Sequence, residues 1–366
     1  MSATFQNCTN LVNAPTIGAN VTNMSDAFNG CTNLVNASAI PNKVTNISNI
    51  FSSCASLVNA PTIGANVTNM SNAYNDCINL INTPVIPINV TNMPNTFSGC
   101  YNLINAPAIP ANVVNIIFAF NHCHNLINAP ILPEKITTIF GTFASCYNLV
   151  NAPVIPVNVT NMWTAFSDCI SLVNAPIIPD NVIDMSYALD GCYSLVNAPT
   201  IPANVVNMTG TFQRSNNLVN ITTIPDKVTN MFNTFANCSS LVNAPTIGAN
   251  VTNMRATFLG CSNLVNASAI PDKVTDMYST FYGCSNLVNA PTIGANVTNM
   301  RITFFGCSNL IGNITIINIG VINFTNCFYG CDILKAKTLK CPSGSASYTL
   351  AMSVCNGKNG VTVIGY

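Results

Sequence analysis

A cysteine recurs every 23 residues along almost the whole chain, from Cys8, Cys31 and Cys54 through Cys192. Ser215 takes one turn, and the series resumes from Cys238 to Cys307. Only the last unit slips, with Cys331 one position late. A strict period of this length predicts a solenoid, because one such unit cannot bury its apolar face alone and a stack of them can. The sequence is therefore best read column by column along the repeat.

From Cys8 a rung runs through Leu11, Asn13, Pro15, Ile17, Gly18, Val21, Met24 and Phe28 to Cys31. Met24, Phe28 and Cys31 are four and three apart, which predicts one face of a short helical turn, continued by Leu34 and capped by Asn23 or Ser25. The Ala-Pro-Thr-Ile-Gly stretch reads as extended chain with turns, its proline column lacking the donors of a regular ladder. Asn20-Val21-Thr22-Asn23 is the better strand candidate. The expected fold is a repeat solenoid, a leucine-rich-repeat-like right-handed superhelix with one short strand and one short helical turn per rung. About 14 rungs fill residues 1–334, and the lysine-bearing segment 335–366 is expected to cap them.

Only 6% of the 366 residues are charged, 11 basic against 11 acidic, so no electrostatic footprint for nucleic acid exists. Asn or Thr interrupts every apolar run, so no membrane span is expected. The stretch from Met1 to Gly18 lacks the basic and apolar regions of a leader. Paired acids, a nucleophile beside a base and a phosphate-cradling loop are all missing from the pattern, so neither an enzyme nor a cofactor is expected.

The pattern Phe-x-x-Cys-x-x-Leu-x-x-Ala-Pro-x-Ile-Pro is carried by Phe97, Cys100, Leu103, Ala106, Pro107, Ile109 and Pro110. It resembles the BspA-like leucine-rich-repeat surface proteins over about residues 3–334, recurring throughout that stretch. The resemblance implies adhesion or partner binding at an extracellular, cell-surface or virion location, and it supplies no catalytic residues.

Most columns read as structural. Stacked cysteines point in parallel and cannot all pair, so buried free thiols are expected along the repeat. Cys341 and Cys355 in the tail are the more credible disulfide. The asparagine column from Asn13 to Asn289 is expected to bond rung to rung. Lys43, Lys135, Lys227 and Lys273, with Glu134, Asp226 and Asp272 beside three of them, read as solvated corner charges. His122-Cys123-His124 does not read as a metal site, because the cysteine column faces inward and its neighbours outward.

The positions after the methionine and after the cysteine differ. In the middle rungs they become bulky and aromatic, giving Tyr101, Phe118, His124, Phe140, Tyr147, Trp163, Tyr187 and Tyr193. Helical spacing would bring Phe140 and Tyr147 to one face, so these residues are expected to form one largely exposed ligand-binding strip. Such a strip suits a glycan or a protein receptor. The alternative reading is a structural subunit that self-assembles end to end through the uncapped N-terminal rung of Phe5, Cys8 and Leu11. A third is ice binding by the column of Thr22, Thr45, Thr68 and Thr91, which Val114, Ile183 and Val206 interrupt.

Overall fold

The computed structural model describes every residue except Thr222 and Val321. The chain divides into two compact units, Met1–Asn181 and Val182–Tyr366. Both are stacks of 23-residue rungs in parallel register. The first unit has bridges Asn13↔Asn36 and Asn59↔Asn82 in one column and Asn23↔Asn46 and Asn69↔Asn92 in another; the second has Asn197↔Asn220 and Asn207↔Asn230 in the same two columns.

The expected strand at Asn20–Asn23 contracts to a single bridge at Asn23. A turn precedes it, with the Val21 N–H on the Gly18 carbonyl at 3.1 Å. The Asn23 side chain then accepts from the Ser25 N–H at 2.9 Å and bends the chain away. Asparagine therefore supplies both the bridge and the corner that ends it.

The helical turn takes a form that helical spacing does not foresee. Ala27, Asn29 and Cys31 donate to the carbonyls three residues back, while the intervening N–H groups of Asp26, Phe28 and Gly30 donate to Ser48, Ile50 and Ser52 of the next rung at 2.8–2.9 Å. An α-helix would consume every donor internally; this run of overlapping turns spends half of them on stacking. The geometry requires left-handed backbone at the second position after the methionine and the one before the cysteine, as at Asp26 (φ 56°) and Gly30 (φ 75°). Asn, Asp and Gly tolerate that conformation best.

The Met, Phe, Cys and Leu columns form the core. The Phe rings stack at a constant rise, with centroids 5.7 Å apart for Phe28–Phe51 and 5.6 Å for Phe281–Phe304. The buried repeat thiols donate to the Phe-column carbonyl one rung back, as Cys54 to Phe28 at 3.2 Å and Cys238 to Phe212 at 3.0 Å. Ser215 makes the same bond to Leu189 at 2.8 Å, which explains why serine can stand in this column. Burial pushes the Cys54 thiol up to about 12, with neighbouring Cys31 adding to the shift. That thiol therefore stays protonated and able to donate.

In the second unit the single bridges widen into strands. β1 (Gly312–Thr315), β2 (Lys337–Cys341) and β3 (Val361–Gly365) form a parallel sheet in that order, with Gly312 beside Lys337 and Lys337 beside Val361. Between β2 and β3, α1 (Ala346–Val354) is capped by Ser345, whose hydroxyl accepts from the Tyr348 N–H at 3.0 Å. The last 30 or so residues thus continue the parallel stacking by strands instead of bridges. The buried Lys337 ammonium donates to the Asp332, Lys335 and Asn359 carbonyls at 2.6–3.1 Å, tying this end together. Cys341 and Cys355 are two free buried thiols, not the disulfide expected of them. No helix among the described residues is long and apolar enough to cross a membrane.

Candidate binding surface

The bulky residues of the first unit form two ring stacks, where the sequence suggests one strip. The position after the cysteine builds one: Tyr101 and His124 lie 4.5 Å apart with 3° between their planes, and His124 and Tyr147 lie 4.3 Å apart at 7°. The positions after the methionine build the other: Phe118–Phe140 at 4.8 Å and Phe140–Trp163 at 4.3 Å, tilted by 49° and 63°. Phe140 and Tyr147 fall in separate stacks, because the chain between them is a run of turns and not a helix. The rings are also less exposed than expected. Tyr101 is open, whereas Phe118, His124, Phe140, Tyr147 and Trp163 are half-buried, since each ring covers its neighbour.

Phe118 adopts a left-handed backbone at φ 54°, where a bulky side chain is strained by on the order of 1–3 kcal/mol. Neighbouring rungs hold Asn72 and Asn95 at this position. Gly141 on the next rung accommodates the Phe118 ring, for a Cβ there would collide with its Cδ1 and Cε1. Tyr187 and Gly210 repeat the pairing in the second unit, with Tyr187 at φ 53°. An aromatic residue at a strained position, matched by a glycine beneath it, is the local signature that sets these rungs apart.

His124 is sandwiched between two phenol rings, and its Nε2 is enclosed without a hydrogen-bond partner. Burial, and secondarily the nearby His122, hold its imidazole below the ordinary histidine range. The imidazole is therefore held toward its neutral form in the stack. Cys123 points the other way, donating to the Phe97 carbonyl at 3.1 Å.

Tyr187 and Tyr193 belong to the second unit, where Tyr193 is exposed and Tyr187 half-buried. The same unit carries groups that the sequence reading missed, although they occupy equally variable columns. Arg255 and Arg301 bracket the Tyr278 ring at 5.2 and 5.7 Å, and Asp276 lies 3.7 Å from Arg255. Tyr282, Phe305 and Tyr329 stack at 4.7 and 5.1 Å, two positions before the cysteine. The first rung presents Cys8 exposed, with Phe5 and Leu11 half-buried. The corner lysines are more than solvated charges: Lys43 donates to Asn20 at 2.7 Å and Lys227 to Asn204 at 2.7 Å, each bonding to the rung before. The threonine column bonds likewise, Thr68 donating to the Thr45 carbonyl at 3.2 Å.

A stack of rungs with these leucine, asparagine and cysteine columns defines a leucine-rich-repeat protein. The chain belongs to the BspA type: the family described as "BspA type Leucine rich repeat region (6 copies)" matches residues 1–127, 70–195, 142–265 and 233–346. The fold is similar to the crystal structure of a leucine-rich repeat protein from Bacteroides ovatus, 22% identical, covering 97% of this chain and 91% of that one with a TM-score of 0.72. A leucine rich cell surface protein from Faecalibacterium prausnitzii is also 22% identical, covering 80% of this chain and 87% of that one with a TM-score of 0.48. No curated protein matches the sequence.

Proposed function

We propose that this chain is a non-enzymatic, surface-displayed binding solenoid that holds a receptor on the ring stacks of its first unit. The observation that carries this reading is the pair of stacks itself: six aromatic side chains on adjacent rungs, one of them kept on a strained backbone. Core packing does not require them, because the Met, Phe, Cys and Leu columns are already buried without them. Membership of the BspA type family supports surface display and adhesion.

The geometry favours a protein receptor over a sugar. A sugar ring stacks on an open aromatic face, and here both faces of His124 are taken by Tyr101 and Tyr147. What remains available is a rim of ring edges with Tyr101 exposed at one end, the kind of rigid aromatic relief that dominates protein interfaces. The test is binding of the labelled chain to a panel of intact cells, each treated with a protease or with glycosidases. Protease treatment is expected to abolish binding; loss on glycosidase treatment alone would move the reading to a glycan. The combined variant Phe140→Ser, Tyr147→Ser, Trp163→Ser is expected to lose binding while remaining folded, and unchanged binding would overturn the proposal.

A second reading is self-association through the first rung. Its support is that Cys8 is exposed while the other cysteines of the repeat are buried, and that Phe5 stacks on Phe28 at 5.3 Å with its other face uncovered by a ring. Dilution of a Cys8→Ser chain in reducing buffer tests it: end-to-end oligomers are expected to dissociate, and a chain that never oligomerises would exclude it.

A further inference from the structure

The eighth position after the cysteine holds Thr or Ala in most rungs, as at Thr16, Ala39, Thr62, Thr200 and Thr246. Across five consecutive rungs of the first unit four hold a larger apolar residue instead, Val85, Ile131, Val154 and Ile177, with Ala108 between the first two. Val85, Ile131, Val154 and Ile177 are 89–90% exposed, and Ile88 and Val157 beside them 62–63%. In these same rungs the flanking positions are all proline, from Pro84 and Pro87 to Pro176 and Pro179, so the backbone that lifts these side chains is stiff. Burial of the core does not account for the ridge. The adjacent position points inward, with Ile86, Leu132, Ile155 and Ile178 buried. Hollows open beside it, one of about 560 Å³ between Pro61, Ile63, Val85 and Ile88, and one of about 420 Å³ between Val85, Ile88, Pro107 and Ile109.

We infer that this ridge is a homodimer interface, on which a second copy of the chain lies antiparallel, ridge against ridge. Three observations choose this occupant. The first is area: six open Val and Ile side chains at roughly 100 Å² each give about 600 Å², at the top of the range for the largest apolar patch of a monomer and about three quarters of the roughly 800 Å² each partner contributes to a standard interface. The second is period. The ridge follows the rung spacing of about 4.8 Å, with Ala108 its one low point, and another stack of such rungs is a surface whose knobs and hollows keep step with it. The third is charge. Around the ridge only Glu134, Lys135 and Asp180 are ionised, and a two-fold axis at Ile131 brings Glu134 and Lys135 of both copies together, so the centre sums to zero. In that arrangement Ile131 meets itself, Val154 meets Ala108, and Ile177 meets Val85. None of these residues belongs to the ring stacks, so the interface stands or falls independently of the proposed receptor site.

The test is sedimentation velocity of the full chain in reducing buffer over a concentration series. A dimer with a micromolar Kd is expected. The variant Val85→Thr, Ile131→Thr, Val154→Thr, Ile177→Thr installs the residue that other rungs carry, so it is expected to fold with an unchanged melting temperature and to dimerise roughly a hundredfold more weakly. Independently, Ile131→Cys in a Cys8→Ser background is expected to give a disulfide-linked dimer on oxidation, and Ala39→Cys in the same background is not. A chain that stays monomeric throughout, including one that instead floats with lipid vesicles, overturns the proposal. So does a threonine variant that dimerises like the parent, or a link that forms at Ala39→Cys and not at Ile131→Cys.

Discussion

The two units are each built on the same kind of interior and differ in their outward columns. Phe120–Phe143 in the first and Phe281–Phe304 in the second stack at 5.7 and 5.6 Å, and the thiols of Cys146 and Cys284 each donate to a Phe carbonyl one rung back. Outside, the position after the methionine reads Phe140 and Trp163 in the first unit and Arg255, Tyr278 and Arg301 in the second. The corner reads Ile131, Val154 and Ile177 against Thr223, Thr246 and Thr292. A ladder whose inward columns satisfy stacking completely leaves its outward columns free to vary. Variation concentrated there is where function is to be sought.

The largest expected effect tests the shared interior. Phe143→Ala and Phe281→Ala each remove a fully buried ring and are expected to cost about 3–5 kcal/mol, by the same amount in denaturant unfolding. A large difference between them would show that the interiors are not equivalent. Next comes the packing that only some rungs carry. Gly141→Ala places a Cβ against the Phe118 ring at φ 56°, and about 1–3 kcal/mol of destabilisation is expected. Adding Phe118→Asn should recover part of that loss, whereas no recovery would mean that backbone strain at residue 141 accounts for all of it.

The cysteine column gives a smaller effect. Cys146→Val removes the thiol donor from the buried Phe120 carbonyl, which keeps the Cys123 N–H at 3.1 Å, and should cost about 0.5–1.5 kcal/mol, while Cys146→Ser, following the precedent of Ser215, should cost less. Equal melting temperatures for the two variants would refute the donor role. The smallest effect is electrostatic. The His124 imidazole is held below its ordinary value in the fold, so the unfolded chain takes up its proton first as pH falls. Stability attributable to this stack is thus present above the ordinary histidine range of about 6.5 and declines with acidification below it. His124→Phe should flatten that decline, as read from melting temperatures between pH 7.5 and 5.

Much of this was legible in the sequence, because the period is strict and the columns are chemically pure. The solenoid, the buried thiols and the asparagine ladder follow from the spacing and chemistry of the columns, and the family from the resemblance carried by the pattern at Phe97, Cys100, Leu103, Ala106 and Pro107; Asn36 does donate to Asn13 at 2.6 Å. Local backbone form was not legible. Four-and-three spacing of Met24, Phe28 and Cys31 fits a helix, but it fits equally a run of turns whose alternate donors serve the next rung, and spacing cannot tell where a hydrogen bond goes. The same limit turned one exposed strip into two half-buried stacks. The apolar corner escaped notice for a different reason. In Val85-Ile86 and Ile131-Leu132 two apolar residues stand side by side, and spacing does not say which one points outward; the structure exposes Val85 and Ile131 and buries Ile86 and Leu132.

The most direct test of the claim that the outward columns of the first unit carry function is a matched pair of variants. Binding to intact cells would be titrated for the parent chain, for Phe140→Ser/Tyr147→Ser/Trp163→Ser, and for Tyr282→Ser/Phe305→Ser/Tyr329→Ser in the second unit, with melting curves alongside. The first variant is expected to bind at least about tenfold more weakly, a loss of about 1.4 kcal/mol, and the second to bind like the parent. Equal binding by all three, or a loss confined to the second unit's variant, would contradict the assignment.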